Sequence, residues 1–281
     1  MAEYLRLTRP PNAFLMFVAV LVGVVFSEQR NFQTLHILLA FLTAYGLTGS
    51  SMALNDYFDR EVDAVNNPTR PIPSGSVSPG SAVALSAVLA ALGLASAALI
   101  SPQSLTVASA AFAAASAYNW KLKKTGLAGN MVVSFTVVAP FLYGSVISDG
   151  VVSGRVGVFA LLAFLANTGR EVIKGMTDVE GDARRNVMTI ARVRGLQAAA
   201  RLGAALYLAA VALSPLPYLL GVTGPLYLPA VSLADAGFVY SCFKLLKNPD
   251  PETAHRQKNL TLIWMLTALV SFLLGGLYQE S

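Results

Sequence analysis

Charge is scarce in this chain. Asp, Glu, Lys and Arg make up 12% of its 281 residues, where about 25% is usual for a soluble domain. A soluble globular protein is therefore excluded. Cysteine is nearly absent: Cys242 stands alone in an apolar run, so no intrachain disulfide is possible. Low-complexity tails and linkers between soluble domains are missing too, and residues 1–281 read as a single membrane domain.

Apolar residues fill the space that charge leaves, at 55% of the chain and a mean hydropathy of +0.59. Runs near or above the length of a membrane span recur at about 12–27, 35–54, 81–100, 103–119, 130–147, 155–173, 196–214, 226–246 and 260–278. A backbone in lipid must satisfy its own hydrogen bonds, so these runs predict an all-α multi-pass bundle of nine transmembrane helices. The first run, preceded by Arg6 and Arg9, has a second reading as a signal peptide. The distribution of charge requires it as a span.

With nine spans, 18 of the 20 basic residues fall on one side, and only Arg30 and Arg155 on the other. By the positive-inside rule the rich side is cytoplasmic, which puts the N-terminus inside and the C-terminus outside a cell membrane. The net charge of +5 then follows from topology and from contact with anionic membrane lipids, and no nucleic acid is implied.

Two cytoplasmic connections are long and polar, and each opens on acidic residues: NDYFDREVD (55–63) and TDVEGD (177–182). They lie four helices apart and resemble each other in plan, as an approximate internal repeat would. If 55–63 continues its helix, Asn55, Asp56, Asp59 and Asp63 share an arc of about 100°, and Glu61 points away. If the second stretch is helical too, Arg170, Lys174, Asp178 and Asp182 form one i+4 stripe, with Asn167 and Glu171 on the same side. Crowded carboxylates repel unless a cation holds them. Oxygen donors without His or Cys suit a hard ion such as Mg²⁺, whose other ligands come from substrate phosphates. Two facing clusters would suit a diphosphate held between metal ions, with Lys and Arg helping to neutralise it. The plain alternative is a solvated acidic face. Because both clusters sit at helix ends, they favour function.

At these residues the chain resembles the UbiA superfamily of intramembrane prenyltransferases, which have nine transmembrane helices and two Asp-rich motifs. Asn55, Asp56, Asp59 and Asp63 meet its NDxxDxxxD motif in full, and Asp178 and Asp182, preceded by Lys174, meet its DxxxD motif. Within the family, NDYFDREVDAVNNPTRPIPSG, REVIKGMTDVEGD and YNWKLKKTGLAGN (118–130) look most like the archaeal geranylgeranylglyceryl-phosphate geranylgeranyltransferases of ether-lipid synthesis. The family's Tyr-x-x-x-Lys spacing is not kept, since Leu122 stands four after Tyr118, and either Lys121 or Lys123 is the donor-binding lysine.

The resemblance implies an apolar chamber capped by the two Asp-rich helix-loop segments. An isoprenoid diphosphate donor would be bound through Mg²⁺ to Asn55, Asp59 and Asp63 and to Asp178 and Asp182, with Asp56 a ligand or behind the ligands. Lys174, with Lys121 or Lys123, would stabilise the departing diphosphate. Tyr118 has two readings, facing an allylic cation or anchoring at the interface. Asn12 either lines the mouth or caps its helix. Arg70 either holds an acceptor phosphate or is a solvated loop arginine, and Arg170 either binds substrate or pairs with Glu171. Asp235, inside the eighth run, has no assigned role.

The expected reaction is Mg²⁺-dependent transfer of a geranylgeranyl group to geranylgeranylglyceryl phosphate. An aromatic acceptor, such as 4-hydroxybenzoate or another quinone, chlorophyll or haem precursor, is the alternative within the family. Outside it stands a cation-coupled transporter, for which carboxylates nearer the bilayer midplane are expected. A CDP-alcohol phosphotransferase fails because no Asp follows EGDARR (180–185) until Asp235.

Overall fold

The computed structural model describes residues 2–28, 33–184 and 186–277, so the expectation for Arg30 lies outside the described residues. All regular structure among them is helical. In order it runs α1 (Ala2–Thr8), α2 (Pro10–Val25), α3 (Thr34–Asn66), α4 (Pro79–Ile100), α5 (Pro102–Trp120), a 3-10 turn (Leu122–Lys124), α6 (Leu127–Asp149) and α7 (Gly154–Lys174). Then follow α8 (Val179–Arg184), α9 (Ile190–Arg194), α10 (Leu196–Leu213), α11 (Leu216–Leu219), α12 (Tyr227–Lys247) and α13 (Pro251–Leu277).

Each apolar run falls on one of the longer helices, and among the described residues six helices are long and apolar enough to cross a membrane, or seven with α1 and α2 taken as one span bent by 43°. Of the nine spans expected, α2 by itself, α5 and α12 do not meet that length and apolarity, for physical reasons. At 16 residues, α2 is about 24 Å long at a rise of 1.5 Å, against a hydrocarbon core of about 30 Å. α5 is diluted by Ser, Thr, Gln and Asn, and α12 carries Asp235, Lys244 and Lys247. The chain is a multi-pass, all-helical membrane protein.

Two compact units divide the chain. The first holds α1 to α5 and the end of α6, from Ala139 to Ser153. Small residues bring its helices close. A Cβ built on Gly23 would sit 2.1 Å from the Phe141 carbonyl oxygen, and one on Gly144 would sit 2.1 Å from that of Val20. Lipid gives helices no hydrophobic reason to associate, so such close packing and polar pairs hold them together. The buried Tyr143 hydroxyl donates to Thr43 Oγ1 at 3.1 Å, Ser50 pairs with Ser86 at 2.8 Å, and Ser27 donates to Ser148 at 2.7 Å.

The second unit holds residues 121–138 and everything from Gly154 onward. Its core gathers Val172, Ile173, Tyr207, Phe238 and Leu245 from α7, α10 and α12, together with Met176 from the turn after α7. Ser134 accepts from Asn167 Nδ2 at 3.1 Å and from Thr168 Oγ1 at 2.9 Å, which ties the start of α6 to α7.

Candidate active site

The first acidic motif rides on a helix that does not stop where its apolar run ends. α3 has 33 residues, about 50 Å at 1.5 Å each, and it runs on through Asn66. NDYFDREVD is therefore helical, the condition under which Asn55, Asp56, Asp59 and Asp63 share one arc. Asp56 and Asp63 are 3% and 5% exposed, Asn55 and Asp59 are half-buried, and Glu61 points to solvent.

Two arginines hold the buried pair. Arg70, from the loop after α3, places Nη1 2.5 Å from Asp63 Oδ2 and 3.4 Å from Asp56 Oδ1. Arg9 donates from Nη2 to the same Asp56 oxygen at 2.5 Å. Arg70 is thus an ion-pair partner of the motif and not a solvated loop residue. Arg9, read from sequence only as a topological charge, is the residue that pattern reading missed. It sits at the break between α1 and α2 with φ 46°, a left-handed conformation that costs a non-glycine residue energy. Pro10 already steers Arg9 away from the right-handed helical region, and the contacts to Asp56 and to Met52 Sδ at 3.4 Å hold it in place.

Around this network, Asn12 is exposed, with Nδ2 3.9 Å from Met52 Sδ. Tyr118 is half-buried in the last turn of α5. Its neighbour Asn119, also missed in the sequence, is buried and donates to the Ser51 carbonyl at 2.9 Å, one turn before Asn55.

The second motif departs from expectation. α7 ends at Lys174, and the stripe through Arg170, Lys174, Asp178 and Asp182 is broken there. Gly175 is a poor helix former, and Asp178 starts a new helix by accepting from the Gly181 amide at 2.9 Å, an N-cap contact. A Cβ on Gly181 would lie 2.0 Å from Asp178 Oδ2, so glycine there leaves the carboxylate in its capping position. Asp182, 9% exposed, sits one turn later, its amide donating to the Asp178 carbonyl at 2.9 Å. Before the break, buried Glu171 binds Lys174 Nζ at 2.7 Å and Arg170 Nη1 at 3.3 Å. Arg170 Nε also donates to the Lys258 carbonyl at 3.2 Å. Of the two candidate lysines, Lys121 is exposed and Lys123 is half-buried in the 3-10 turn.

Among the described residues no three Asp, Glu, His or Cys side chains are gathered to hold a metal by themselves. The donor set nevertheless suits Mg²⁺. That ion takes one or two carboxylates and completes its octahedron with water and substrate phosphate. Each motif offers oxygen donors alone: Asn55, Asp59 and Asp63 in one, Asp178 and Asp182 in the other.

An all-helical membrane protein with two separate carboxylate motifs, one on a helix running past its apolar stretch and one capping a short helix, has the donor chemistry of a membrane enzyme that handles a polar headgroup. The family model of the UbiA prenyltransferase family matches residues 16–278, and the chain belongs to that family. It is a prenyltransferase, which sets the transporter reading aside. The chain is 39% identical to digeranylgeranylglyceryl phosphate synthase of Archaeoglobus fulgidus, over 96% of this chain and 94% of that one. A solved structure concerned with digeranylgeranylglyceryl phosphate synthase in membranes is 31% identical, with a TM-score of 0.80 over 98% of each chain. A UbiA homologue from Archaeoglobus fulgidus bound to DMAPP and Mg²⁺ shares the fold, at 19% identity and a TM-score of 0.72 over 96% of this chain and 99% of that one.

Proposed function

We propose that the protein transfers a geranylgeranyl group from its diphosphate to geranylgeranylglyceryl phosphate, the second ether-forming step of archaeal lipid synthesis. The observation that carries this reading is the likeness to digeranylgeranylglyceryl phosphate synthase along nearly the whole of both chains. The Mg²⁺ requirement is supported by the oxygen-only motifs and by the fold shared with a homologue that binds DMAPP and Mg²⁺. Residues 1–281 act as one domain of nine transmembrane helices. The N-terminus and both Asp-rich caps are cytoplasmic, and the C-terminus lies outside the cell membrane.

Asn55, Asp59 and Asp63 of the first motif, and Asp178 and Asp182 of the second, are the residues that would hold Mg²⁺. Bound there, Mg²⁺ supplies charge neutralisation for the diphosphate leaving group. Asp56, engaged by Arg9 and Arg70, stands behind the ligands and fixes the end of α3. Lys174 and Lys123 donate to diphosphate oxygens as the allylic C–O bond breaks, with Lys121 the alternative to Lys123. Tyr118 presents its ring to the allylic cation, and the apolar helices keep water from it until the acceptor hydroxyl attacks. Arg70 uses Nη1 on the two carboxylates and keeps its other donors for the acceptor phosphate. Arg170 positions Glu171 and Lys174, and Asn12 lines the entrance.

Purified protein given geranylgeranyl diphosphate and Mg²⁺, with geranylgeranylglyceryl phosphate or 4-hydroxybenzoate, tests the acceptor. Ether product from the glycerol phosphate alone is expected. Product from the aromatic acid alone would overturn the acceptor assignment and leave the diphosphate chemistry standing.

A further inference from the structure

The second unit contains a cleft that neither carboxylate motif lines. Its volume is about 570 Å³, within the range of about 300–1,000 Å³ typical of small-molecule sites. Leu127, Ile190, Val193 and Leu202 make its walls apolar, and Met188 and Arg194 complete the lining that matters here. The wall is pinned in place. The Met188 amide donates to the Lys124 carbonyl at 3.0 Å, and Arg192 Nη1 donates to the Val187 carbonyl at 3.0 Å. Gly126 has φ 66°, and a Cβ there would lie 2.0 Å from the Met188 carbonyl oxygen, so this approach requires glycine.

Arg194 is exposed and has no hydrogen-bond or ion-pair partner among the described residues. Beside it, Val193 and Met188 are 55% and 48% exposed. Both side chains lie in the segment between α7 and α10, outside the apolar spans, and exposed apolar groups beside a cation suit the headgroup region of a bilayer. A single unpaired guanidinium beside apolar walls complements an anionic headgroup carrying an apolar chain, and a guanidinium binds phosphate through two parallel donors.

We propose that this cleft binds one anionic phospholipid of the surrounding bilayer, its phosphate on Arg194 and a chain along Leu127, Ile190 and Leu202. The inference rests on the cleft and not on the assigned reaction, and it is tested without turnover. The full chain in detergent is titrated with phosphatidylglycerol, or with phosphatidylcholine of the same chains, and bound lipid is counted by native mass spectrometry. One phosphatidylglycerol is expected to bind about tenfold tighter than phosphatidylcholine, because the choline ammonium offsets the phosphate charge that phosphatidylglycerol leaves for Arg194, a difference on the scale of one charge-assisted contact. Arg194→Gln, an exposed change that leaves the fold intact, should abolish that preference. Ala198→Trp, which fills the cleft, should abolish binding of both lipids. Lys247→Gln, an exposed lysine outside the cleft, should bind like the parent chain. Unchanged phosphatidylglycerol binding in Arg194→Gln, or absence of any preference in the parent chain, would overturn the proposal.

Discussion

Arg70→Ala probes the network at the end of α3 through stability alone, whatever it does to turnover. The substitution strips Asp63, 5% exposed, of its 2.5 Å partner, and leaves Asp56 with Arg9. Removing one partner of a fully buried pair costs about 3–5 kcal/mol, and an exposed pair contributes about 0–1 kcal/mol. The Arg70 side chain is 33% exposed, so the loss should fall between these limits, at about 2 kcal/mol. The penalty comes from an uncompensated buried charge, so Asp63→Asn should relieve it. The Arg70→Ala/Asp63→Asn double variant should then be less destabilised than the sum of the single variants, by about 1 kcal/mol or more. The assay is unfolding in mixed micelles by SDS titration, followed by far-UV circular dichroism, in a double-mutant cycle. Additivity of the two changes to within about 0.5 kcal/mol would refute the argument.

Three further predictions concern glycines. Gly181→Ala should displace the Asp178 carboxylate, since its Cβ would lie 2.0 Å from Oδ2; prenyl transfer should fall at least tenfold, about the effect of a lost positioning contact, with helix content unchanged. Gly144→Ala should cost about 2 kcal/mol or more by overpacking against the Val20 carbonyl. Gly157→Ala, with nothing within 4 Å of its Cβ, should be neutral or stabilise by up to about 1 kcal/mol. Thermal unfolding in detergent separates these last two outcomes.

Much of this architecture is written in local patterns. The apolar runs place the long helices, and the 55–63 spacing places Asp56 and Asp63 on one face with Glu61 outside. A local period fails where chain geometry changes within a few residues. The i+4 stripe across Gly175 assumes a helix that an Asp178 cap interrupts. Pattern reading fails altogether for partners far apart in sequence. Arg9 and Asp56 are separated by 47 positions, and Asn119 and Ser51 by 68, so no periodicity links them. The RPPN stretch at residues 9–12 did carry a signal, because an arginine before two prolines at a helix start marks a fixed backbone break. The runs at 103–119 and 226–246 place α5 and α12, although both helices carry more polar residues than the other spans.

In the proposed reaction the two carboxylate motifs carry Mg²⁺-dependent prenyl transfer. Single-turnover transfer from geranylgeranyl diphosphate to geranylgeranylglyceryl phosphate, with Mg²⁺ or with EDTA, tests it most directly when run on the parent chain and on Asp59→Ala and Asp182→Ala. The account predicts ether product only with Mg²⁺, and a rate lower by about 100-fold or more in each folded variant, the scale of losing a group that stabilises transition-state charge. Near-parental rates in either variant, or undiminished transfer in EDTA, would contradict it.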